Sequence, residues 1–398
     1  MTAGSEASIR IDAPFDTARA DRLMEEAGID VLLATSKHNA GYLLGGYRFF
    51  FFSTMDAIGH SRYLPIVIYV KGRPEEAAYI GNAMEGWEHA NRPFWTPTVH
   101  LSSWGTTDAA KLAIAHLGKI GKAGARIGIE PGFLPADAHA ALTEGTGSAG
   151  LADATGVLEW LRAIKTPAEL AKLRTASELI TESMLATIAW AREGSTKLEI
   201  VERMRREETN RGLEFDYCLL TFGVDKNRAP SGRAWKTGEI MSIDSGGNHD
   251  GYIGDLCRMT VLGEPDAELQ DLLAEVDGVQ QAVFAEIRAG AIGGDVIACG
   301  NEVLKSGPNS GVTDLVIHGM GLVSHEVPFL MNNRIYDGVD AERPLKAGMV
   351  LSVETTMAHA RRGYIKLEDT VAVTADGYEL FGDRGRGWNR GGSSRVLA

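Results

Sequence analysis

Ile240-Met241-Ser242-Ile243-Asp244-Ser245-Gly246-Gly247-Asn248-His249-Asp250-Gly251-Tyr252-Ile253-Gly254-Asp255 is the stretch on which the fold of this chain turns. Asp250-Gly251 between two strand-like runs is a hairpin signal. With His249-Asp250 as the two-residue turn, residue 248 pairs with 251, 247 with 252, and Asp244 falls opposite Asp255. Both carboxylates then share a face, with Cβ atoms ~5 Å apart. Like charges held so closely are destabilising unless a proton or a cation lies between them. The plainer alternative is a surface pair splayed into water.

The construction recurs further on. Val350-Leu351-Ser352-Val353-Glu354 and Ile365-Lys366-Leu367-Glu368 flank Ala360-Arg361-Arg362-Gly363. A three-residue loop with Gly363 at a bulge pairs Glu354 with Glu368. All these acids interrupt apolar, β-branched strands, where a carboxylate is rarely buried alone. Between the two segments comes Val316-Ile317-His318-Gly319-Met320-Gly321-Leu322-Val323-Ser324-His325. A lone histidine is most often a satisfied core residue. Two of them beside two acidic pairs point instead to a site. Four carboxylates and an imidazole suit a dinuclear centre of harder divalent ions, Mn²⁺, Fe²⁺ or Co²⁺, better than a thiolate zinc site.

The rest of the chain frames that centre. Its 398 residues exceed one ordinary domain, and 44% hydrophobic with 23% charged residues is the balance of a globular protein. Lys+Arg 40 against Asp+Glu 53 leaves a net charge of −13. Nucleic acid and anionic membranes are therefore poor partners. The opening residues MTAGSEASIRIDAPFD lack a basic region followed by an apolar core, and no run is long enough to span a membrane. Cys218, Cys257 and Cys299 have no paired spacing, so neither disulfides nor thiolate zinc is suggested. A cytoplasmic location is expected.

Residues 14 to about 155 read as alternating helices and strands, an α/β domain without a Gly-rich phosphate loop. Strands are expected at Val31–Ala34, Ile66–Val70, Ala77–Ile80 and Arg126–Ile129, with helices at Ala18–Glu26 and Asp108–Leu117. The run Tyr47–Phe52 reads as a buried strand or core edge, or else as an apolar wall for an interface. Thr166-Pro167-Ala168-Glu169 is a capping box with proline at the first helical position. Helices should run from there to about Gly194, from Glu268 to Ala289 and over Asp295–Lys305. Strands are expected at about 217–222, 239–245, 252–262, 348–356 and 364–374. Elements that cluster rather than alternate make the second domain α+β. No repeat is evident, and the Arg/Gly tail Gly382–Gly392 reads as a solvated end.

The order Asp244, Asp255, His318, Glu354, Glu368 resembles the ligand set of the pita-bread metallohydrolases: methionine aminopeptidase, aminopeptidase P, prolidase and the related creatinase. The resemblance covers nearly the whole chain. Asn39-Ala40-Gly41-Tyr42-Leu43 lies in a segment similar to the creatinase-type N-terminal domain, and Leu161–Glu169 resembles the approach to the pita-bread domain. It implies an α/β domain over residues 1–157 and an α+β pita-bread catalytic domain over 158–398. It further implies two divalent ions (Mn, Fe, Co or Zn) held by Asp244, Asp255, His318, Glu354 and Glu368, and a water activated between them as nucleophile. His325 would assist the substrate's oxygen, and Glu354 would double as proton relay to the leaving nitrogen. A homodimer is expected from the same resemblance together with the Tyr47–Phe52 run.

Three features depart from the peptidases. The segment Gly223–Ser231 lacks their histidine and carries Asn227 and Arg228; a histidine from elsewhere, His60 or His89, is one substitute. Glu354 precedes Thr355-Thr356 rather than Pro-Gly. Lys366 stands where an arginine is usual, and lysine cannot make a bidentate fork. Arg228, His325 and Lys366 are accordingly the expected substrate-binding residues. The expected activity is hydrolysis of a C–N bond in a small amino-acid-like compound other than an Xaa-Pro dipeptide. The alternatives are a metal-dependent lyase resembling the dimethylsulfoniopropionate lyases, a genuine Xaa-Pro dipeptidase, and a binding module that has lost its chemistry.

Overall fold

Alternate residues of one short strand, Val31–Ala34, enter two different cores, and this organises the N-terminal half. The structure is a computed structural model describing residues 12–57, 59–146, 150–331 and 340–392. The first eleven residues, read above for a leader, lie outside the described residues. The chain divides into two units, Met1–Leu161 and Arg162–Ala398. In the first, β1 (Val31–Ala34), β2 (Ile66–Val70), β3 (Ala78–Asn82), β4 (Thr98–Ser103), β5 (Ile127–Ile129) and β6 (Leu151–Asp153) form one sheet in the order β4-β3-β2-β1-β5-β6. Val31 and Leu33 pack with Ile66, Ile68 and with Ala109 and Ala113 of helix Thr106–Lys119. Leu32 and Ala34 pack oppositely, with Val67, Tyr69 and with Ala20 and Met24 of helix Thr17–Glu26. Coverage on both faces explains why these strands read as unbroken apolar runs.

Tyr47–Phe52 is not a strand. Phe50–Phe52 is a 3₁₀ turn in which Phe49 and Phe52 are buried with Tyr63, while Phe50 is 58% exposed. A strand would send successive rings to opposite faces, whereas the turn lets Phe49 meet Phe50 and Phe51 at centroid distances of 4.6 and 5.3 Å.

The second unit holds β7 (Glu214–Phe222), β8 (Ile240–His249), β9 (Tyr252–Val261), β10 (Thr313–Gly319), β11 (Glu326–Phe329), β12 (Val350–His359), β13 (Gly363–Val373), β14 (Tyr378–Phe381) and β15 (Asn389–Arg390). The sheet order is β11-β10-β12-β13-β9-β8-β7, with β14 on β13 and β15 on β9. A repeat invisible in the residue pattern appears in the topology. Helices Pro167–Trp190 and Lys197–Asn210 precede β7 and the β8–β9 hairpin. Helices Ala267–Glu286 and Gly293–Ser306 precede β10 and the β12–β13 hairpin. Thr166 caps its helix as its sequence requires: its Oγ1 accepts from Glu169 N at 3.3 Å, and its own N–H donates to Glu169 Oε2 at 2.7 Å.

The Gly382–Gly392 tail is not a solvated end. Trp388 and Asn389 are buried, β15 pairs in parallel with β9, and the Arg386 guanidinium reaches Asp369 and Asp277. Arg386 is thus a counterion for Asp369 of the sheet and Asp277 of helix Ala267–Glu286.

Glu208, on helix Lys197–Asn210, is fully buried against β8. Ser245 Oγ lies 2.8 Å from Glu208 Oε1 and 2.6 Å from Tyr217 O, yet a hydroxyl has one proton for the two acceptors. A protonated Glu208 resolves the conflict by donating to Ser245. Burial pushes this carboxyl up to about 8, with Asp216 adding to the rise against the Ser245 hydrogen bond. Below the ordinary 4.5 both folded and unfolded carboxyls hold the proton. As pH rises from there, only the unfolded one ionises, so stability falls until about 8 and then levels. Glu208→Gln should therefore gain on the parent chain with rising pH, by on the order of a few kcal/mol between pH 5 and pH 9. Urea unfolding at the two pH values measures the difference; a constant difference would show that Glu208 does not hold its proton.

Candidate metal centre

The turn of the first acidic hairpin is Asp250-Gly251, not His249-Asp250. Both residues have positive φ, +49° and +93°, the conformation that an Asp-Gly pair adopts most readily in a tight hairpin, and His249 pairs with Tyr252. Asp244 therefore lies opposite Cys257, and Asp255 opposite Gly246. The displacement is two residues, which preserves the face. Asp244 and Asp255 thus remain on one side as diagonal neighbours. The second hairpin pairs as its sequence requires: Glu354 faces Glu368 across a three-residue loop ending at Gly363, φ +99°.

What joins the hairpins is a single register pair, Cys257 with Glu368. One row of the sheet consequently runs Asp244, Cys257, Glu368, Glu354 across β8, β9, β13 and β12. On the opposite side of this junction sits Arg258, wholly buried. Its Nε donates to Arg384 O, its Nη1 to Cys257 O and Glu368 O, and its Nη2 to Asp369 Oδ1 and Gly382 O, at 2.6 to 3.0 Å. All five guanidinium protons find acceptors.

Lys366, two residues before Glu368 on the same face, directs its ammonium into the acids. Nζ lies 2.7 Å from Asp244 Oδ2, 2.5 Å from Glu354 Oε2 and 2.8 Å from Glu368 Oε2, with the side chain 4% exposed. Arg228 also reaches Asp244, from the loop after β7, and its guanidinium lies over the Tyr364 ring. That loop is pinned by buried Lys197, which contacts Asp225 and the Asn227 carbonyl. Arg228 remains 34% exposed.

His318, next to the last residue of β10, is fully buried. Its Nδ1 lies 3.1 Å from Gly319 O; a carbonyl only accepts, so Nδ1 carries the proton and Nε2 presents a lone pair. Burial, with His325 adding to it, lowers the imidazole to about 3, keeping it neutral. The exposed His325 ring stacks on His318 at 3.9 Å between centroids. Glu326, the next residue, is buried between Arg162 Nη2 at 3.1 Å and Lys165 Nζ at 2.7 Å, which anchors this loop.

The acids do not titrate alike. Burial, then the Asp244 charge, pushes Asp255 up to about 8. Burial, then Asp255, pushes Glu368 well above the usual range. Burial also opposes ionisation of Glu354, but Lys366 and His318 outweigh it and bring that carboxyl down to about 2. Tyr217 is the site residue that sequence reading missed. Its hydroxyl hydrogen-bonds Asp255, and a Cβ on Gly246 would lie 2.5 Å from its ring. The bare Gly246 opposite Asp255 was the available signal, legible only once the register is known.

Asp255, His318 and Glu368 bring ligand atoms within 4.8 Å of one another, as do His318, His325 and Glu354. Asp255 Oδ1 and His318 Nε2 are buried without an aligned hydrogen bond, and Glu368 Oε2 has the Lys366 ammonium beside it without an aligned bond. Oxygen and imidazole donors left so are what a divalent cation requires, so the residues present fit one.

Residues 171–375 match the model of metallopeptidase family M24, and residues 17–164 that of the creatinase/prolidase N-terminal domain. The chain belongs to metallopeptidase family M24. It is accordingly a metal-dependent hydrolase of pita-bread fold with an α/β creatinase-type N-terminal domain. Relatives of this M24 chain include an uncharacterized peptidase of Staphylococcus saprophyticus, 25% identical over 258 residues, covering 63% of this chain and 71% of that one. Another, from Staphylococcus aureus, is 26% identical over 233 residues, covering 56% and 64%. Similar solved structures include a dipeptidase from Pyrococcus horikoshii (TM-score 0.79, 21% identity, covering 94% and 99%) and the Xaa-Pro dipeptidase from Bacillus anthracis (0.77, 21%, 94% and 98%). An X-Pro aminopeptidase from Thermotoga maritima follows at 0.74, 18%, 93% and 99%. At these identities the structural likeness establishes the fold. No helix among the described residues is long and apolar enough to cross a membrane.

Because Arg258 spans the one-pair junction, Arg258→Ala should strip five acceptors of their donor and leave Asp369 buried with Arg386 alone. The expected cost is about 3–5 kcal/mol in urea unfolding. A loss under ~1 kcal/mol would mean that the hairpins are joined by other contacts.

Proposed function

We propose that this M24 chain hydrolyses a C–N bond, amide or amidine, in a small amino-acid-like substrate. The observation carrying this reading is the convergence of Asp255, His318 and Glu368, with Asp255 Oδ1 and His318 Nε2 buried and unclaimed by any aligned hydrogen bond, beside ionised Glu354. A divalent cation held there would supply Lewis acidity toward water and toward the oxygen or nitrogen of the attacked group. The oxygen-rich donor set suits manganese or iron. Glu354 keeps Oε2 on Lys366 and offers its other oxygen as proton carrier toward the leaving nitrogen. His325, at the exposed edge of the His318 stack, is placed to donate to the substrate's oxygen.

Arg228 spends one arm on Asp244 and keeps its remaining donors at an exposed edge, which suits a substrate carboxylate through two parallel hydrogen bonds. With Arg228 and Lys366 both turned toward Asp244, Xaa-Pro dipeptides should be poor substrates. The exposed Phe50, Trp87 and Trp104 of the N-terminal unit support assembly as a homodimer.

Metal-reconstituted protein is to be assayed against Gly-Pro and Ala-Pro, cyclic amidines and dimethylsulfoniopropionate in ¹⁸O water. The expected product carries solvent ¹⁸O, and kcat/KM on the dipeptides stays below about 10⁴ M⁻¹s⁻¹. Higher dipeptide values make the chain a prolidase, and turnover without ¹⁸O uptake makes it a lyase. Sedimentation at micromolar concentration should show a dimer; a fully active monomer contradicts the assembly.

A further inference from the structure

We infer that this centre holds one divalent cation, at Asp255, His318 and Glu368, and that the Lys366 ammonium stands in for a second. The inference rests on the metal-centre reading above and departs from the two ions expected from the order of ligands.

The second position would have to draw on Asp244 together with the neighbouring carboxylates. One oxygen of each is already engaged by a cation of this chain: Asp244 Oδ2, Glu354 Oε2 and Glu368 Oε2. Lys366 Nζ lies within 2.8 Å of oxygens on Asp244, Glu354 and Glu368, closer than a divalent ion at the same junction could tolerate another positive centre. The oxygen of Asp244 that meets Lys366, Oδ2, also receives Arg228. Asp244 is thus a ligand of two cations of this chain. Asp255 and His318, by contrast, keep a lone pair unclaimed by any hydrogen bond.

Charge points the same way. Asp244, Asp255, Glu354 and Glu368 carry four negative charges when ionised. Two divalent ions cancel all four and leave Lys366 and Arg228 as surplus positive charges, the former fully enclosed. One divalent ion together with Lys366 and Arg228 leaves the cluster neutral. A buried ammonium without compensation is costly, so the second arrangement is favoured. Ser352 Oγ, 2.8 Å from Glu368 Oε1, turns that carboxylate so that Oε2 faces Lys366. Lys366 is a positioning residue here: its ammonium holds three carboxylates in register.

The test is metal content and its magnetic signature, on the full chain loaded with excess Mn²⁺ and desalted. Elemental analysis should find about one Mn²⁺ per chain, and electron paramagnetic resonance the six-line pattern of an isolated ion. Two equivalents with an exchange-coupled spectrum would overturn the inference while leaving the hydrolase reading intact. No retained metal would remove both. Asp244→Asn should keep one equivalent, since Asp244 serves Lys366 and Arg228, whereas Asp255→Asn should lose it. Loss of the ion from a folded Asp244→Asn chain would overturn the assignment. Lys366→Met should take up a second equivalent, and a folded variant that stays at one would contradict the lysine's part. If Lys366→Met does not fold, the Asp244→Asn and parent measurements decide alone.

Discussion

A buried guanidinium, Arg258, bridges the two acidic hairpins of this M24 chain where they meet in one sheet. β9 and β13 share one register pair, Cys257 with Glu368, where neighbouring ladders run for several residues. Arg258 spans the gap with donors to both strands, to Asp369 and to the returning tail. Breaking a paired buried charge costs more than the pair contributes, because the abandoned partner has no solvent to turn to. Arg258 thereby ties the hairpins and the tail to one another. That explains why an Arg/Gly-rich stretch that looks solvated in isolation is tied down in the fold.

The centre built across this junction is a problem of like charges. Carboxylates on adjacent strands repel, and burial raises the cost of ionising each of them. The chain answers with cations of its own, Lys366 inside and Arg228 at the exposed edge, and sets them against Asp244. Asp255 and Glu368 are left with high proton affinity and with His318 as neighbour. The loop carrying His325 is anchored by the same means: Glu326 sits between Arg162 and Lys165, both just ahead of the long helix. Lys197 does the equivalent for the Arg228 loop.

Much of this was legible in the residues because it is local. The Thr166 capping box involves neighbours three apart and forms as read. The Glu354–Glu368 pairing follows from a short loop ending in glycine, so its register is set by the turn itself. The first hairpin shows the limit of that reasoning. Asp250-Gly251 had been recognised as a turn signal, but the two-residue loop was placed one residue too early. The error moved the pairing by two positions and left the acidic face intact, because side chains alternate with period two.

The sequence by itself thus determined the two-domain composition, the helix starts, the two hairpins and the acids and histidines that face a common site, since each depends on periodicity or on residues a few positions apart. Tertiary structure alone decided which strands of the two hairpins meet, that Tyr217 reaches Asp255, and that Lys366 lies among three carboxylates. Lys366 and Asp244 are 122 residues apart, and their contact exists only because β13 pairs with β9 at one point. No local pattern encodes that pairing, because its partners lie on strands far apart in the chain and are bridged by the hydrogen bonds of Arg258 to both.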